Sequence, residues 1–470
     1  MSLEKEKIDR SAWLTLGTLS CLGLIAMYGE TMVLPAIPTL IVDFEMPYST
    51  SSWILSSYMI AGAVATPIAG KLSDVYGRKK ILLIVLSIYS VGILAGGFAN
   101  SLPFMLAARA AQGIGISMFP IAFGIIREVL PVKKLAVGQS IFTATFPAGA
   151  TIGLLVGANI IQNYGWHATF FTVFPIAVIL GLFILKFIHV DSLSKIPEHK
   201  MSIDVKGSVF LAITIISFLV GISNLENNIG HVYESLIFFA VTIISLIVFI
   251  IVEKRTESPL IDFKMLTNKM LLFGILILLI VGLCTFMVYQ TIPIMIQSPQ
   301  PLGFGGTELT TATVQLPFML IFLVGSITSG FALERIGNKR LTMIGTLVGT
   351  VGFFTLLLFH STDYMVTITL AIVAAGLSLA FIGGFNIVLL STPIQFAGIA
   401  LGMTLLLNLI GQSIGPSIAG MFQQMHRSTI EGITGSFPTP DAYNLIFLTA
   451  FIISLTSVVF AISLNKKVLA

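Results

Sequence analysis

Fourteen apolar runs, each about 20 residues long and set apart by a short polar connection, leave this chain few folds to adopt. They lie near 13–38, 51–70, 80–99, 103–126, 136–158, 166–187, 206–224, 234–252, 270–294, 310–332, 341–359, 365–390, 396–422 and 443–464. A run of that length crosses a bilayer as a helix, the one open-ended element that satisfies its own backbone polar groups in hydrocarbon. Only 10% of the 470 residues are charged, against about 25% in soluble domains, so a water-facing surface could not be covered. The expected fold is an all-α polytopic membrane protein. The first run is longer than a signal-peptide core, lacks a small-residue cleavage site and reads as a retained helix.

The connections test the count. With both termini on the cytoplasmic side, the inner segments hold Lys5, Lys7, Arg10, Lys71, Arg78, Lys79, Lys80, Arg127, Lys133, Lys134, Lys186, Lys195, Lys200, Lys206, Lys254, Arg255, Lys264, Lys269, Arg335, Lys339, Arg340, Lys466 and Lys467. Arg427 alone falls in an outer loop and Arg109 alone in a span. A wrong count would scramble this bias toward the cytoplasm. The same spread of basic residues argues against nucleic-acid binding. Cys21 and Cys284 sit in apolar runs and imply neither disulfide nor metal site. No phosphate-binding Gly-rich loop, metal cluster or nucleophile triad is present, which leaves no basis for an enzyme, a cofactor or ATP drive.

The sequence also echoes itself. Gly70, Asp74, Gly77 and Arg78 after helix 2 recur as Gly330, Glu334, Gly337 and the bases Arg335 and Lys339 after helix 10. Gly149, Gly153 and Gly157 of helix 5 align with Gly411, Gly415 and Ala419 of helix 13, where Pro416 follows. Two homologous halves imply a pseudo-twofold axis along the membrane normal with a cavity between them. Residues 1–190 form the first six-helix bundle, 191–269 a linker with two inserted helices, and 270–470 the second bundle.

These residues resemble the major facilitator superfamily, and within it the fourteen-helix drug:proton antiporters. Gly70…Asp74…Gly77-Arg78-Lys79 is similar to the family's loop signature, and Arg109-Ala110-Ala111-Gln112-Gly113-Ile114-Gly115 to its helix 4 motif. Trp53 and Tyr58, Gly165-Trp166 with Phe170 and Pro175, and Glu253…Pro259-Leu260-Ile261-Asp262 match further family positions. The chain departs from the pattern in three places: the helix 5 motif lacks its proline, helix 1 carries Glu30 for Asp, and Val173 stands for Asn. The resemblance implies a major facilitator fold, two six-helix bundles plus two extra helices. It also implies a plasma-membrane transporter working by alternating access on a small molecule.

Glu30, in Tyr28-Gly29-Glu30-Thr31-Met32-Val33-Leu34-Pro35, is the acid at the middle of a span. A charge there costs several kcal/mol or is neutralised by a proton, so Glu30 is read as a switch between proton and substrate. Measured from Pro38 and Pro103 at about 1.5 Å per residue, Glu30 and Arg109 lie roughly 12 and 9 Å from the outer ends. Arg109 is then either its partner or a lock on the helix 1 backbone. Asp74, placed at the start of the following helix where the dipole favours an acid, is read with Gly70, Gly77, Arg78, Glu334 and Arg335 as an inner latch. Gly149, Gly153, Gly157, Gly411, Gly415 and Pro416 permit close helix approach and are read as gating positions. Tyr28, Tyr58, Gln112, Gln139, Tyr289, Gln290, Gln315, Asn386, Asn408 and Gln412 are candidates for the cavity lining, since polar side chains in spans turn inward.

The reading is a proton-coupled exporter of amphipathic compounds, acting as a monomer with protons, a small-molecule substrate and the bilayer as partners. Alternatives are a transporter for one metabolite (amino acid, sugar or lipid-like) and a non-transporting membrane sensor.

Overall fold

A computed structural model describes residues 9–131, 134–188, 204–224, 229–256, 259–392 and 397–464. Lys5, Lys7, Lys133, Lys195, Lys200, Lys466 and Lys467, and the side chain of Glu334, lie outside the described set.

Among the described residues, 14 helices are long and apolar enough to cross a membrane: α1 (Arg10–Asp43), α2 (Tyr48–Tyr76), α3 (Arg78–Gly97), α4 (Leu102–Val129), α5 (Val137–Tyr164), α6 (Trp166–Phe187), α7 (Val205–Ser223), α8 (Tyr233–Arg255), α9 (Lys269–Gln297), α10 (Glu308–Ser329), α11 (Asn338–Leu358), α12 (Asp363–Leu390), α13 (Ala400–Met425) and α14 (Pro440–Ile462). Several outrun the apolar runs of the sequence, because a helix continues through polar residues until a turn residue stops it. The extension of α2 to Tyr76 ends at Gly77, whose φ of 95° no other residue adopts cheaply. The helix that contains α10 runs on to Ile336 and ends the same way, at Gly337 with φ 78°. The echo seen in the sequence is thus an echo in backbone conformation.

It extends to the helix ends. Lys79, two residues past Gly77, donates to the carbonyl of Leu185 at the end of α6 (2.8 Å). Lys339, two residues past Gly337, donates to Ile462 at the end of α14 (3.1 Å), and also to Leu464. In each half a lysine caps the negative end of the last helix, where unpaired carbonyls and the dipole favour a cation.

Helices α1 to α6 contact one another, as do α9 to α14; α2 also packs on α13 and α5 on α10, while α7 and α8 pair together and α7 touches α2 and α13. Side chains of α8 such as Leu236, Ile237, Ile243, Ile244 and Ile247 stay exposed, and its mean hydropathy of 3.1 suits contact with lipid. An apolar groove of about 320 Å³ between α7, α8 and α13 is lined by Leu211, Phe218, Phe249, Leu407 and Ile414.

Contacts between the halves that involve hydrogen bonds gather at the end remote from the basic connections. Gln290 donates to Ser51 Oγ (2.8 Å), Ser56 Oγ to the carbonyl of Ser413 (2.7 Å), and Gln297 to that of Pro35 (2.8 Å). The backbone N–H of Tyr48 donates to Gln424 Oε1 (3.0 Å), and that of Leu309 to Gln162 Oε1 (3.3 Å). A short antiparallel ribbon, β1 (Arg427–Ile430) with β2 (Ile433–Pro438), follows α13. Nothing in the apolar pattern announces it. Its Ser436 carbonyl accepts from the Tyr48 hydroxyl (3.2 Å), so the ribbon also closes this end.

Candidate transport site

Helix α1 is regular from Arg10 to Thr31, and then breaks into a 3-10 turn at Leu34–Ala36. Pro35 and Pro38 supply no N–H to continue the ladder. Glu30 lies just before this break and is buried, 8% exposed. Its carboxylate makes no hydrogen bond or ion pair with any described residue.

The residues around it are bonded to one another and to the helix backbones. Arg109 in α4 is 0% exposed. It donates from Nη1 to the carbonyl of Gly29 (3.0 Å) and to Gln112 Oε1 (2.9 Å), and from Nε to the carbonyl of Ile54 (3.1 Å). Its guanidinium lies 4.4 Å from the centre of the Tyr58 ring, a cation–π contact. Tyr58 donates to the carbonyl of Ala26 (3.2 Å), Tyr89 to that of Ile25 (2.8 Å), and Gln112 to that of Gly92 (2.8 Å). Arg109 therefore ties the backbones of α1 and α2 to α4. It forms no ion pair with Glu30, although the two lie within electrostatic reach. One nitrogen, Arg109 Nη2, is buried without a partner.

The glycines make the clamp possible. A Cβ on Gly29 would stand 2.3 Å from the Tyr89 hydroxyl, and one on Gly113 would stand 2.0 Å from the carbonyl oxygen of Tyr58. Past Gly113 the helix tightens into a 3-10 turn at Ile114–Ser117. Tyr58 and Gln112, expected in a cavity lining, are held instead as bridges between helices. Tyr89, absent from the expected set, belongs with them. Its signal in the sequence was a lone tyrosine within an apolar helix.

From the second half, Tyr289 of α9 stands within electrostatic reach of Glu30 and donates to Met319 Sδ (3.3 Å). Gln315 of α10 is 1% exposed, and both its amide atoms lack partners among the described residues. Gln290 is a bond between halves and keeps Oε1 unpartnered. Asn408 donates to the carbonyl of Leu278 (2.7 Å) and accepts from Gln412 (2.8 Å), bridging α13 to α9. Asn386 bonds back to its own helix at Ile382 (2.9 Å). Tyr28 and Gln139 are half-buried on α1 and α5.

One expectation needs correcting: Asp74 does not start a helix. Because α2 runs on to Tyr76, Asp74 sits in its last turn, where the dipole disfavours an acid. Arg78 compensates, pairing with Asp74 (3.1 Å) and with Glu128 of α4 (2.7 Å). Gly70 has open space where a Cβ would go, so no close approach requires a glycine there. Arg335 is exposed in the last turn of the helix containing α10. The close contacts of the helix 5 and 13 glycines lie within a half. Cβ atoms on Gly149, Gly153 and Gly157 would strike Leu24, Tyr28 and Met32 of α1. Those on Gly411 and Gly415 would lie 2.1 and 2.3 Å from carbonyls of Leu279 and Leu283 in α9. Pro416 is inside α13, beside this stripe. The glycine that meets the other half is Gly420, against the Tyr48 carbonyl at 2.7 Å.

The family model of the Major Facilitator Superfamily matches residues 19–416. The chain belongs to this superfamily. Its 14 spans fit the drug:proton antiporter branch. Multidrug resistance protein 3 of Bacillus subtilis (strain 168) is 27% identical over 439 residues, covering 90% of this chain and 82% of that protein. The tetracenomycin C resistance and export protein of Streptomyces glaucescens is 24% identical, covering 87% and 75%. Among solved structures, a D-xylose-proton symporter superposes with a TM-score of 0.66 at 14% identity, covering 97% of both chains, which speaks for the fold alone. The protein is a multi-pass membrane protein of a transporter superfamily whose members bind small molecules within the membrane.

Proposed function

We propose that this protein is a proton-coupled antiporter that exports amphipathic organic compounds, with Glu30 binding proton and substrate in turn. The observation that carries this is Glu30 itself: an acid buried in a span, beside a clamp whose bonds go to two backbone carbonyls and to Gln112, and with no bond of its own among the described residues. A carboxyl so placed is stable when protonated or when a cation or donor faces it. The names of the multidrug-resistance and export relatives support the substrate class. Tyr289, within electrostatic reach of Glu30, and the buried Gln315 complete the binding surface from the second half. Residues 1–190 and 270–470 rock against each other about this site, and 191–269 carries the inserted pair. The protein acts as a monomer in the cell membrane with both termini cytoplasmic, so the hydrogen-bonded end faces outward and the conformation is inward-facing.

Proton movement in proteoliposomes tests the proposal. Vesicles with an imposed pH gradient and a pH-sensitive dye receive lipophilic cations, neutral amphiphiles and common metabolites. Several unrelated amphiphiles should discharge the gradient through the wild type and none through Glu30→Gln. Discharge by a single metabolite would make the protein a specific transporter, and discharge through the variant would remove Glu30 from coupling.

A further inference from the structure

A second group of carboxyl oxygens lies outside the Glu30 site, at the seam between the inserted helices and the first half. Asp204 caps the N-terminus of α7, its Oδ1 accepting from Gly207 N–H (2.7 Å). Glu253, near the end of α8, accepts from the N–H of Ile261 through Oε2 (3.0 Å). Both side chains are buried, 5% and 2% exposed. Among the described residues, each keeps one oxygen with no hydrogen-bond partner, Asp204 Oδ2 and Glu253 Oε1. These two oxygens converge: a Cβ on Gly207 would stand 2.3 Å from the first and 2.4 Å from the second. Gly207 is the residue that leaves room for them.

Two carboxylate oxygens that face each other are acceptors without a donor, which is costly in a buried place. The charged group that reaches them from α2 is Lys71, within electrostatic range of both. The 259–262 segment contributes backbone N–H groups, and the helix containing α13, which packs on α7, has no charged residue between 397 and 425. Among the described residues, one cation within reach of two carboxylates leaves one negative charge uncompensated.

We propose that Asp204 and Glu253 form a second proton-binding site, holding a single shared proton between Asp204 Oδ2 and Glu253 Oε1. The proton supplies the missing donor and brings the Lys71 group to neutrality. Because Lys71 stands on α2 of the first half, while α7 packs on both α2 and α13, the site couples its protonation to the seam along which the halves move. It stands apart from Glu30 and does not depend on that residue's role.

Infrared difference spectroscopy of the reconstituted full-length protein, titrated with pH, reads the site directly. Glu30→Gln protein is the parent, so the Glu30 carboxyl contributes nothing. It should retain one protonated-carboxyl C=O band at neutral pH. That band should vanish on adding either Asp204→Asn or Glu253→Gln, because either change leaves one carboxylate balanced by Lys71. Each variant supplies an amide donor in the proton's place, and thermal melting confirms that each is folded. Should one of them fail to fold, Gly207→Ala, which forces the oxygens apart, should shift or split the band. Loss with only one of the two substitutions, or a Gly207→Ala spectrum identical to the parent, would overturn sharing. Absence of the band from the parent would overturn the site, and a failure of Glu30-dependent transport leaves this readout unaffected.

Discussion

Arg109 Nη1 donates to the carbonyl oxygen of Gly29, the residue next to Glu30, and not to the Glu30 carboxylate. The buried cation and the buried anion are therefore neighbours without being a pair. The cation has a fixed structural task, and the acid is left able to change its proton or ligand.

The guanidinium fork spans three acceptors, which a lysine ammonium cannot reproduce. Arg109→Lys should lower the melting temperature of the purified protein, and Arg109→Ala should lower it further, by the equivalent of about 3 kcal/mol or more. Dye-monitored unfolding in detergent measures both. Melting unchanged from wild type would remove the clamp from the account.

The glycines separate into two classes by what a methyl group would meet. Gly411→Ala puts a Cβ 2.1 Å from the Leu279 carbonyl and should cost about 1–3 kcal/mol through forced helix separation. Gly402→Ala, in the same helix with nothing within 4 Å, should be neutral or stabilise by about 0.5–1 kcal/mol. Side by side, the Gly411→Ala curve should fall below the wild type and the Gly402→Ala curve at or above it.

Closing the end remote from the basic connections by a covalent link should arrest the cycle. Ser51 and Gln290 are in direct contact there. With the exposed Cys21 changed to Ser, cysteines at 51 and 290 joined by a reducible bis-thiol cross-linker that replaces the reach of the Gln290 side chain should stop transport. Reduction of the linker should restore it to the level before cross-linking. Undiminished transport by the bridged protein would show that this end does not open.

Arg78 joins α2, α3 and α4 through Asp74, Glu128 and the carbonyl of Gly124, at a partly exposed position. Exposed ion pairs contribute at most about 1 kcal/mol each. Arg78→Ala should therefore barely change melting, yet slow turnover if the junction must hold its shape while the halves move. A split between stability and rate is the expected signature, and equal losses in both would assign Arg78 to folding alone.

What the sequence disclosed depended on the physics behind each signal. The helix count was legible because bilayer thickness imposes a length, and the duplication because Gly77 and Gly337 must both adopt a positive φ. Helix ends were less legible: Asp74 sits past the apolar run, and no hydropathy marks where the backbone stops winding. Tyr58 and Gln112 were recognisable as inward-facing but not as bridges, since that depends on which carbonyls Gly113 and Gly29 bring within reach. The Gln424 bond to Tyr48 joins residues 376 positions apart and had no local trace at all.

The bonds that join the halves are made mainly by hydroxyls, amides and backbone carbonyls, and no ion pair between described residues crosses there. Neutral hydrogen bonds exchange for bonds to water at a net cost of about 1 kcal/mol each, and salt does not screen them. Parting at that face thus exchanges bonds at about 1 kcal/mol each and breaks no charge pair between described residues. Its equilibrium should be indifferent to ionic strength.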